Sequence, residues 1–293
     1  MPRLEVAPGV RLHYTRGGVD GAEAVVFVNG LTMDTTAWRP VAQQLGERLA
    51  TVRYDCRGQG ESDKPPGPYT PGRHAADLRA LLDGLELERV HLVGLSNGGL
   101  IAMLAAGELA EQAGRILSVS VLDSFARVDP MQRWVLASWK SALESGGSGV
   151  RFDVATPWVW GHSFLEEHGE ELLALREVAA MADPVAVGAL IDGLALFSDA
   201  RRSLRAYDGP LLAAVGKEDL LTPLRYSHEI VEWARHGMLV TVDGAGHAAP
   251  IEQPDAVARL LRGFILRHEE FMTPLWQEDA ALSDRAAHGQ ETE

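Results

Sequence analysis

The stretch Val90–Gly99 constrains the fold and the function of this 293-residue chain more than any other. It begins with an apolar run, continues through Gly94-Leu95-Ser96-Asn97-Gly98 and leads into a helix-forming segment. Glycine has no Cβ, so it fits the tight backbone on both sides of a serine held at a sharp strand-to-helix turn. Such a turn exposes the serine hydroxyl beside the first amides of the helix. Ser96 is therefore a candidate nucleophile, and the alternative is a purely structural glycine-rich turn.

Strand-like apolar segments alternate with helix-like segments over most of the chain. This alternation is typical of an α/β fold in which helices cover both faces of a largely parallel sheet. Together with a short hairpin at the N-terminus, it predicts a mostly parallel, eight-stranded sheet flanked by helices. The predicted strands are 4–7, 11–15, 24–29, 51–55, 89–94, 116–122, 210–215 and 238–242.

The alternation is interrupted once, because residues 126–208 carry helical spacing and no clear strand. We therefore predict a core made of residues 1–125 and 209–268, with a helical lid at 126–208 inserted over the edge of the sheet. Within the lid, Gly146-Gly147-Ser148-Gly149 indicates a hinge or flexible connection. Residues 269–293 are acidic and weakly apolar, and they are predicted to form a mobile tail.

Composition excludes several classes of partner. The formal net charge of −14 is the opposite of the basic footprint that nucleic acid or an anionic membrane requires. No window approaches the roughly 20 apolar residues of a membrane span, and the N-terminus lacks a signal-peptide apolar core, so we expect a cytoplasmic protein. The single cysteine, Cys56, rules out an internal disulfide, and the histidines form no metal-ligand pattern. We expect neither a metal nor a cofactor.

Two further residues suit a nucleophilic serine, which needs a base and a group that orients the base. Asp219 follows the predicted strand 210–215, and His247 lies in the loop after the strand 238–242. The chain order Ser, Asp, His is the one expected when the serine sits on such a turn. A serine hydrolase is therefore the leading interpretation.

With these residues, the chain resembles the α/β-hydrolase fold family. Asn29-Gly30-Leu31 is similar to the oxyanion loop of that family, and Asp55–Asp63 to the loop after its next strand. With Gly246-His247 and Glu252-Gln253-Pro254, the likeness is greatest to 3-oxoadipate enol-lactonases and related bacterial esterases. It covers residues 1–125 and 209–268.

The resemblance implies a role for each residue. Ser96 attacks a carbonyl carbon, His247 takes and returns the proton, and Asp219 orients the imidazole. The backbone N–H groups of Leu31 and Asn97 form the oxyanion hole. Asn29 stands where many relatives have histidine, which leaves those backbone donors in place and changes only their support.

Asp123, at the end of the strand 116–122, is a rival for the acid because some members of this fold keep their acid there. Asp219 is favoured because Gly216 and Pro223 bracket it in the manner usual for the family.

The lid is expected to select the substrate. Its aromatic residues suggest an apolar pocket over the serine, with Trp134, Trp158, Trp160 and His162 as candidates, unless these side chains form the lid's own core. A lactone derived from a dicarboxylate would instead need a basic anchor. The candidates for that anchor are Arg127, Arg133, Arg151, Arg176, Arg201, Arg202 and Arg205.

The sequence thus predicts a cofactor-free serine hydrolase that cleaves a small-molecule carboxylic ester or lactone through an acyl-enzyme. Perhydrolysis of the haloperoxidase type and hydrolysis of a carbon–carbon bond use the same three residues and remain alternatives. A ligand-binding protein built on the same fold is an alternative of another class.

Overall fold

A computed structural model describes residues 2–266 of the chain. Its centre is an eight-stranded sheet with the order β1-β2-β4-β3-β5-β6-β7-β8. The first two strands and the β2–β4 pair are antiparallel, and every later pair is parallel. The predicted mostly parallel, eight-stranded sheet is confirmed. The strands are β1 (Arg3–Ala7), β2 (Val10–Gly18), β3 (Ala24–Val28), β4 (Ala50–Tyr54), β5 (Val90–Leu95), β6 (Ile116–Leu122), β7 (Pro210–Gly216) and β8 (His236–Val242).

Helices cover both faces of the sheet, and the central strands are therefore apolar on both sides. Along β3, Val26 and Val28 pack into one core cluster, whereas Val25 and Phe27 pack into a second cluster on the opposite face. The helices outside the 126–208 segment are α1 (Arg39–Leu45), α2 (Pro71–Gly84), α3 (Asn97–Glu108), α8 (Arg225–Trp233), α9 (Ala249–Glu252) and α10 (Pro254–Leu266).

Four helices lie between β6 and β7, where the sequence has no strand pattern. They are α4 (Pro130–Val159), α5 (His162–Ala180), α6 (Pro184–Ala195) and α7 (Arg201–Ala206). We call this stretch the α4–α7 segment. The predicted flexible connection at Gly146–Gly149 lies inside α4, where Gly147 has φ 75° and ψ −170° and bends the helix. The glycine cluster is therefore a sharp kink between two helical halves. The predicted tail, 269–293, lies outside the described residues.

The parallel strands end at one edge of the sheet, and this edge carries the candidate site. Leu31 follows β3, Ser96 follows β5, Asp219 follows β7 and His247 follows β8. Polar residues from distant parts of the sequence therefore meet at the carboxyl ends of the strands, which is where ligands bind in open α/β sheets.

Candidate active site

Ser96 occupies the turn between β5 and α3 in a backbone conformation that few residues adopt. Its φ of 54° and ψ of −120° belong to a region that costs on the order of 1–3 kcal/mol for a residue with a side chain. The turn is held by hydrogen bonds from the Ser96 N–H to the Leu122 carbonyl (2.8 Å) and from the Ser124 hydroxyl to the Ser96 carbonyl (2.8 Å). Strain held in this way is typical of a functional position.

The glycines on either side of Ser96 are required by close packing of the backbone. A Cβ on Gly94 would lie 2.3 Å from the Gly98 carbonyl oxygen, and a Cβ on Gly98 would lie 2.2 Å from the Val28 carbonyl oxygen. Both distances are well inside van der Waals contact. The spacing of glycines in the sequence thus reflects how closely α3 approaches β3 and β5.

His247 and Asp219 are brought together at the ends of β8 and β7. His247 Nδ1 lies 3.0 Å from Asp219 Oδ2, and both side chains are buried. Burial acts to raise the pKa of Asp219, but the His247 ring and hydrogen bonds from Thr222 outweigh it and hold that pKa below its usual value. An ionised Asp219 accepts a hydrogen bond from Nδ1–H, which leaves His247 Nε2 with a lone pair.

Thr222 is a member of this group that the sequence analysis missed. Its hydroxyl donates to Asp219 Oδ2 (2.7 Å) and lies 3.1 Å from His247 Nδ1. Asp219 Oδ1 also accepts from the N–H groups of Leu221 and Thr222, each at 2.8 Å. The pattern Asp-x-x-Thr after a strand could have suggested this local turn.

Asp123, the rival acid, faces the backbone rather than the imidazole. Its carboxylate accepts hydrogen bonds from the N–H groups of Gly216 (2.8 Å) and Ala249 (3.2 Å). Burial and the neighbouring charge of Asp219 raise the pKa of Asp123 well above its usual value. Asp123 thus fastens the end of β7 to the start of α9.

A second acid, Glu252, fixes the loop that carries His247. Its carboxylate accepts from the N–H groups of Gly246 (2.8 Å), Ala248 (2.9 Å) and Gly161 (3.0 Å). The His247 N–H itself donates to the Val159 carbonyl at 2.8 Å. The junction between α4 and α5 is therefore bonded directly to the histidine loop.

The loop after β3 is held in a way that orients the Leu31 amide. Gln59 Nε2 donates to the Gly30 carbonyl at 2.7 Å. Because a trans peptide is planar, the Leu31 N–H points away from that carbonyl. Asn29, the residue that departs from the family pattern, accepts a hydrogen bond from Trp38 Nε1 at 3.0 Å. Asn97, the other predicted donor, is the buried first residue of α3.

A cavity of about 830 Å³ opens above these residues. Ser96, His247 and Leu31 line it from the sheet side, and helices α4 to α6 line much of the remainder. Most of the lining is apolar. The apolar lining includes Phe125, Leu136, Trp139, Phe152, Val159, Trp160 and Leu190.

The placement of the predicted pocket residues corrects part of the sequence analysis. Of the four candidates, all within the described part of the chain, Trp160 alone lines the cavity. Trp134 is 77% exposed, and Trp158 packs against the main hydrophobic core. The His162 side chain is 80% exposed and pairs with Glu166. Helical spacing alone did not reveal which face of each helix turns toward the cavity.

Neither a metal-binding cluster nor a single membrane-spanning helix is formed within residues 2–266. No group of three or more His, Cys, Asp or Glu side chains in that range is arranged to hold a metal ion. Within the same range no single helix is long and apolar enough to cross a membrane. Helices α5 and α6 reach the necessary length and apolar content only when they are taken together, and they are bent by 98° relative to each other.

The family model described as "Alpha/beta hydrolase family" matches residues 25–260. The chain belongs to this family of alpha/beta hydrolases. It is 28% identical to 3-oxoadipate enol-lactonase 1 of Acinetobacter baylyi over 259 residues, covering 88% of this chain and 94% of that protein. The family resemblance and the hydrolase fold predicted from the sequence are confirmed.

Solved structures of other hydrolases are also similar to this chain. The enol-lactonase from Burkholderia xenovorans matches with a TM-score of 0.81 and 26% identity, over 90% of this chain and all of that one. A thermophilic esterase from Thermogutta terrifontis matches with a TM-score of 0.82 and 27% identity, over 91% of this chain and 98% of that one. This alpha/beta hydrolase is thus similar to both lactone and ester hydrolases.

Proposed function

We propose that this alpha/beta hydrolase cleaves a carboxylic ester or lactone of a small molecule through an acyl-enzyme on Ser96. The observation that carries the proposal is the strained turn of Ser96 at a cavity that also contains His247, whose ring is bound to Asp219 at 3.0 Å. A purely structural turn needs neither the strain nor the buried His–Asp pair. The similarity to enol-lactonases and an esterase supports this type of bond.

The proposed reaction assigns one step to each of these groups. Ser96 Oγ attacks the carbonyl carbon while its proton passes to His247 Nε2, and the charge of Asp219 stabilises the resulting imidazolium. The carbonyl oxygen becomes an oxyanion that accepts hydrogen bonds from the N–H groups of Leu31 and Asn97. Collapse of this intermediate expels the alcohol, which takes the proton from His247. Water then repeats the sequence and releases the acid.

The α4–α7 segment acts in this proposal as a lid that encloses the substrate. This role is supported by the lining of the cavity, which consists of strand-end residues on one side and residues of α4, α5 and α6 on the other. The bonds from Glu252 and His247 to the α4–α5 junction tie the lid to the histidine loop. A bound ester would therefore contact both the reacting groups and the lid.

The proposal is tested by Ser96→Ala. We expect a loss of about 10⁴- to 10⁶-fold in kcat for short ethyl esters, because loss of the nucleophile removes the covalent route. A fluorophosphonate probe should label the wild-type chain once and leave the variant unlabelled. Ser198→Ala, at an exposed serine, is the matched control.

Two outcomes would contradict the proposal. Ser96→Ala that keeps most of the wild-type turnover would show that another group performs the chemistry. Stoichiometric labelling of Ser96 without any turnover of esters or lactones would favour a ligand-binding protein on this fold.

A further inference from the structure

One arginine of the α4–α7 segment differs from the others in being buried. Of the seven arginines considered as anchors, Arg151 is the one that lines the cavity. Most of the rest are engaged elsewhere. Arg127 pairs with Glu229, Arg176 with Asp153 and Arg201 with Asp199, Arg133 donates to the Ala195 carbonyl, and Arg205 lies over the Trp233 ring.

Arg151 lies in the second half of α4 and is only 6% exposed. Its Nη2 makes one long contact, 3.4 Å to the Thr32 hydroxyl, and its Nε is buried without a hydrogen-bond partner. Within residues 2–266 the guanidinium forms no ion pair with a carboxylate. Burial lowers the pKa of Arg151 to about 10, so the side chain is still charged at neutral pH. A buried charge is ordinarily paired, and this one is not.

The position of Arg151 relates it to the reacting groups. Thr32 directly follows Leu31, whose N–H is a proposed oxyanion donor, so the guanidinium lies on the side of the cavity formed by that loop. Other charged residues also line the cavity, but they are exposed. These residues are Asp34, Glu61, Lys64 and Asp183. Arg151 is thus the buried charge that a substrate would meet inside the cavity.

We propose that Arg151 binds a carboxylate of the substrate, so that the ester or lactone cleaved at Ser96 carries an acid group away from the scissile carbonyl. This inference rests on the proposed function. The Nε atom is enclosed by protein, whereas Nη1 and Nη2 form the terminal edge of the guanidinium, and two N–H groups on such an edge match the two oxygens of a carboxylate. One buried cation balances one negative charge, which favours a carboxylate over a more highly charged phosphate.

The test uses pairs of esters that differ only in the acid group. Monoethyl succinate, glutarate and adipate are compared with ethyl butyrate, pentanoate and hexanoate, in which a methyl group replaces the carboxylate. We expect the wild-type chain to prefer the acid ester at one or more of these lengths. Arg151→Met should lower kcat/KM for that acid ester by about 10- to 100-fold, the range for a charge-assisted hydrogen bond. Hydrolysis of the neutral partner should change little.

Two further variants sharpen the result. Arg151→Lys keeps the charge without the two-pronged edge and should retain part of the preference. Arg202→Met removes an exposed arginine of the same segment and should leave both ester classes unaffected. Equal losses on acid and neutral esters in Arg151→Met, or a wild-type chain with no preference for the acid esters, would overturn the inference.

Binding separates this inference from the proposed function. Calorimetry with free glutarate and adipate should detect binding to the wild-type chain and not to Arg151→Met. Binding without hydrolysis of any ester would refute the proposed function and keep the carboxylate site. Hydrolysis of neutral esters, with neither acid preference nor diacid binding, would keep the function and refute the site.

Discussion

The strand ends and the α4–α7 segment meet at one cavity but are built in opposite ways. At the strand ends, the buried acids accept hydrogen bonds from backbone groups, as with the three N–H donors to Glu252. The α4–α7 segment presents apolar side chains and the unpaired Arg151 to the cavity, and it exposes Met181 and Val185 on its surface. Backbone hydrogen bonds fix the proposed reacting groups, whereas side-chain packing shapes the space for the substrate.

The first prediction concerns the two buried acids at the strand ends. Asp219→Asn should lower kcat by roughly 10⁴-fold, because the amide no longer holds the imidazole in the tautomer that accepts the serine proton. Asp123→Asn should keep most of the activity. Its carboxyl binds the backbone N–H groups of Gly216 and Ala249 rather than the imidazole, so an amide, which keeps one of the two acceptors, should lower stability more than activity.

Steady-state hydrolysis of ethyl butyrate by both variants provides the measurement, with thermal unfolding as a check on folding. If Asp123→Asn lost as much activity as Asp219→Asn, contact with His247 would not be what distinguishes the catalytic acid from the other buried acid. The division between reacting groups and backbone fasteners at the strand ends would then be wrong.

The second prediction concerns the apolar side of the cavity. Phe152 lines the cavity from α4, so Phe152→Ala should change the preferred chain length of the substrate. One methylene in an apolar pocket is worth about 1–3 kcal/mol, which corresponds to a shift of about 5-fold or more in the ratio of kcat/KM between neighbouring chain lengths. Acyl length and alcohol length are varied separately in two series of esters.

Trp134→Ala is the matched control, because Trp134 is an aromatic residue of the same helix that lies on the surface. It should leave the chain-length profile unchanged. If Trp134→Ala shifted the chain-length preference and Phe152→Ala did not, the substrate pocket would be lined by the residues predicted from the sequence rather than by Phe152.

The third prediction concerns Cys56, the single cysteine, which is buried in the main hydrophobic core. Burial raises the pKa of its thiol to about 12, so at neutral pH almost none of it is the reactive thiolate. We expect a thiol reagent such as DTNB to leave the folded chain unmodified and to react stoichiometrically in concentrated guanidinium chloride.

Reaction of Cys56 in a chain that keeps its circular dichroism spectrum would contradict this expectation. It would mean that the core opens locally without unfolding, and that the strand ends are less rigid than their hydrogen bonds indicate. Treatment of the folded chain with DTNB is expected to leave its activity unchanged, which makes this the smallest of the predicted effects.

The predicted strands agree with the structure to within a few residues, because buried parallel strands are short apolar runs bounded by turn residues. In the α4–α7 segment, α4 begins at Pro130 and continues past the glycine cluster to Val159, whereas the sequence predicts a hinge or flexible connection at that cluster. The capping pair Asp129 and Gln132 marks its start and is visible in the sequence.

The residues that support the site were harder to predict. Glu252 and Gln59 act on backbone groups that are distant in sequence, and their roles depend on how the loops pack against each other. The sequence also gave no basis for choosing Arg151 among seven arginines. Its burial is set by which face of α4 turns inward after the kink at Gly147.

By itself, the sequence determined the α/β sheet, the tight turn at Ser96 and the order of Ser96, Asp219 and His247, because these depend on local periodicity and on glycine sterics. The tertiary structure decided which acid contacts His247, which side chains line the cavity and that the buried Arg151 has no carboxylate partner there. Those features depend on contacts between segments far apart in the chain, and local sequence patterns do not encode the distances that create them.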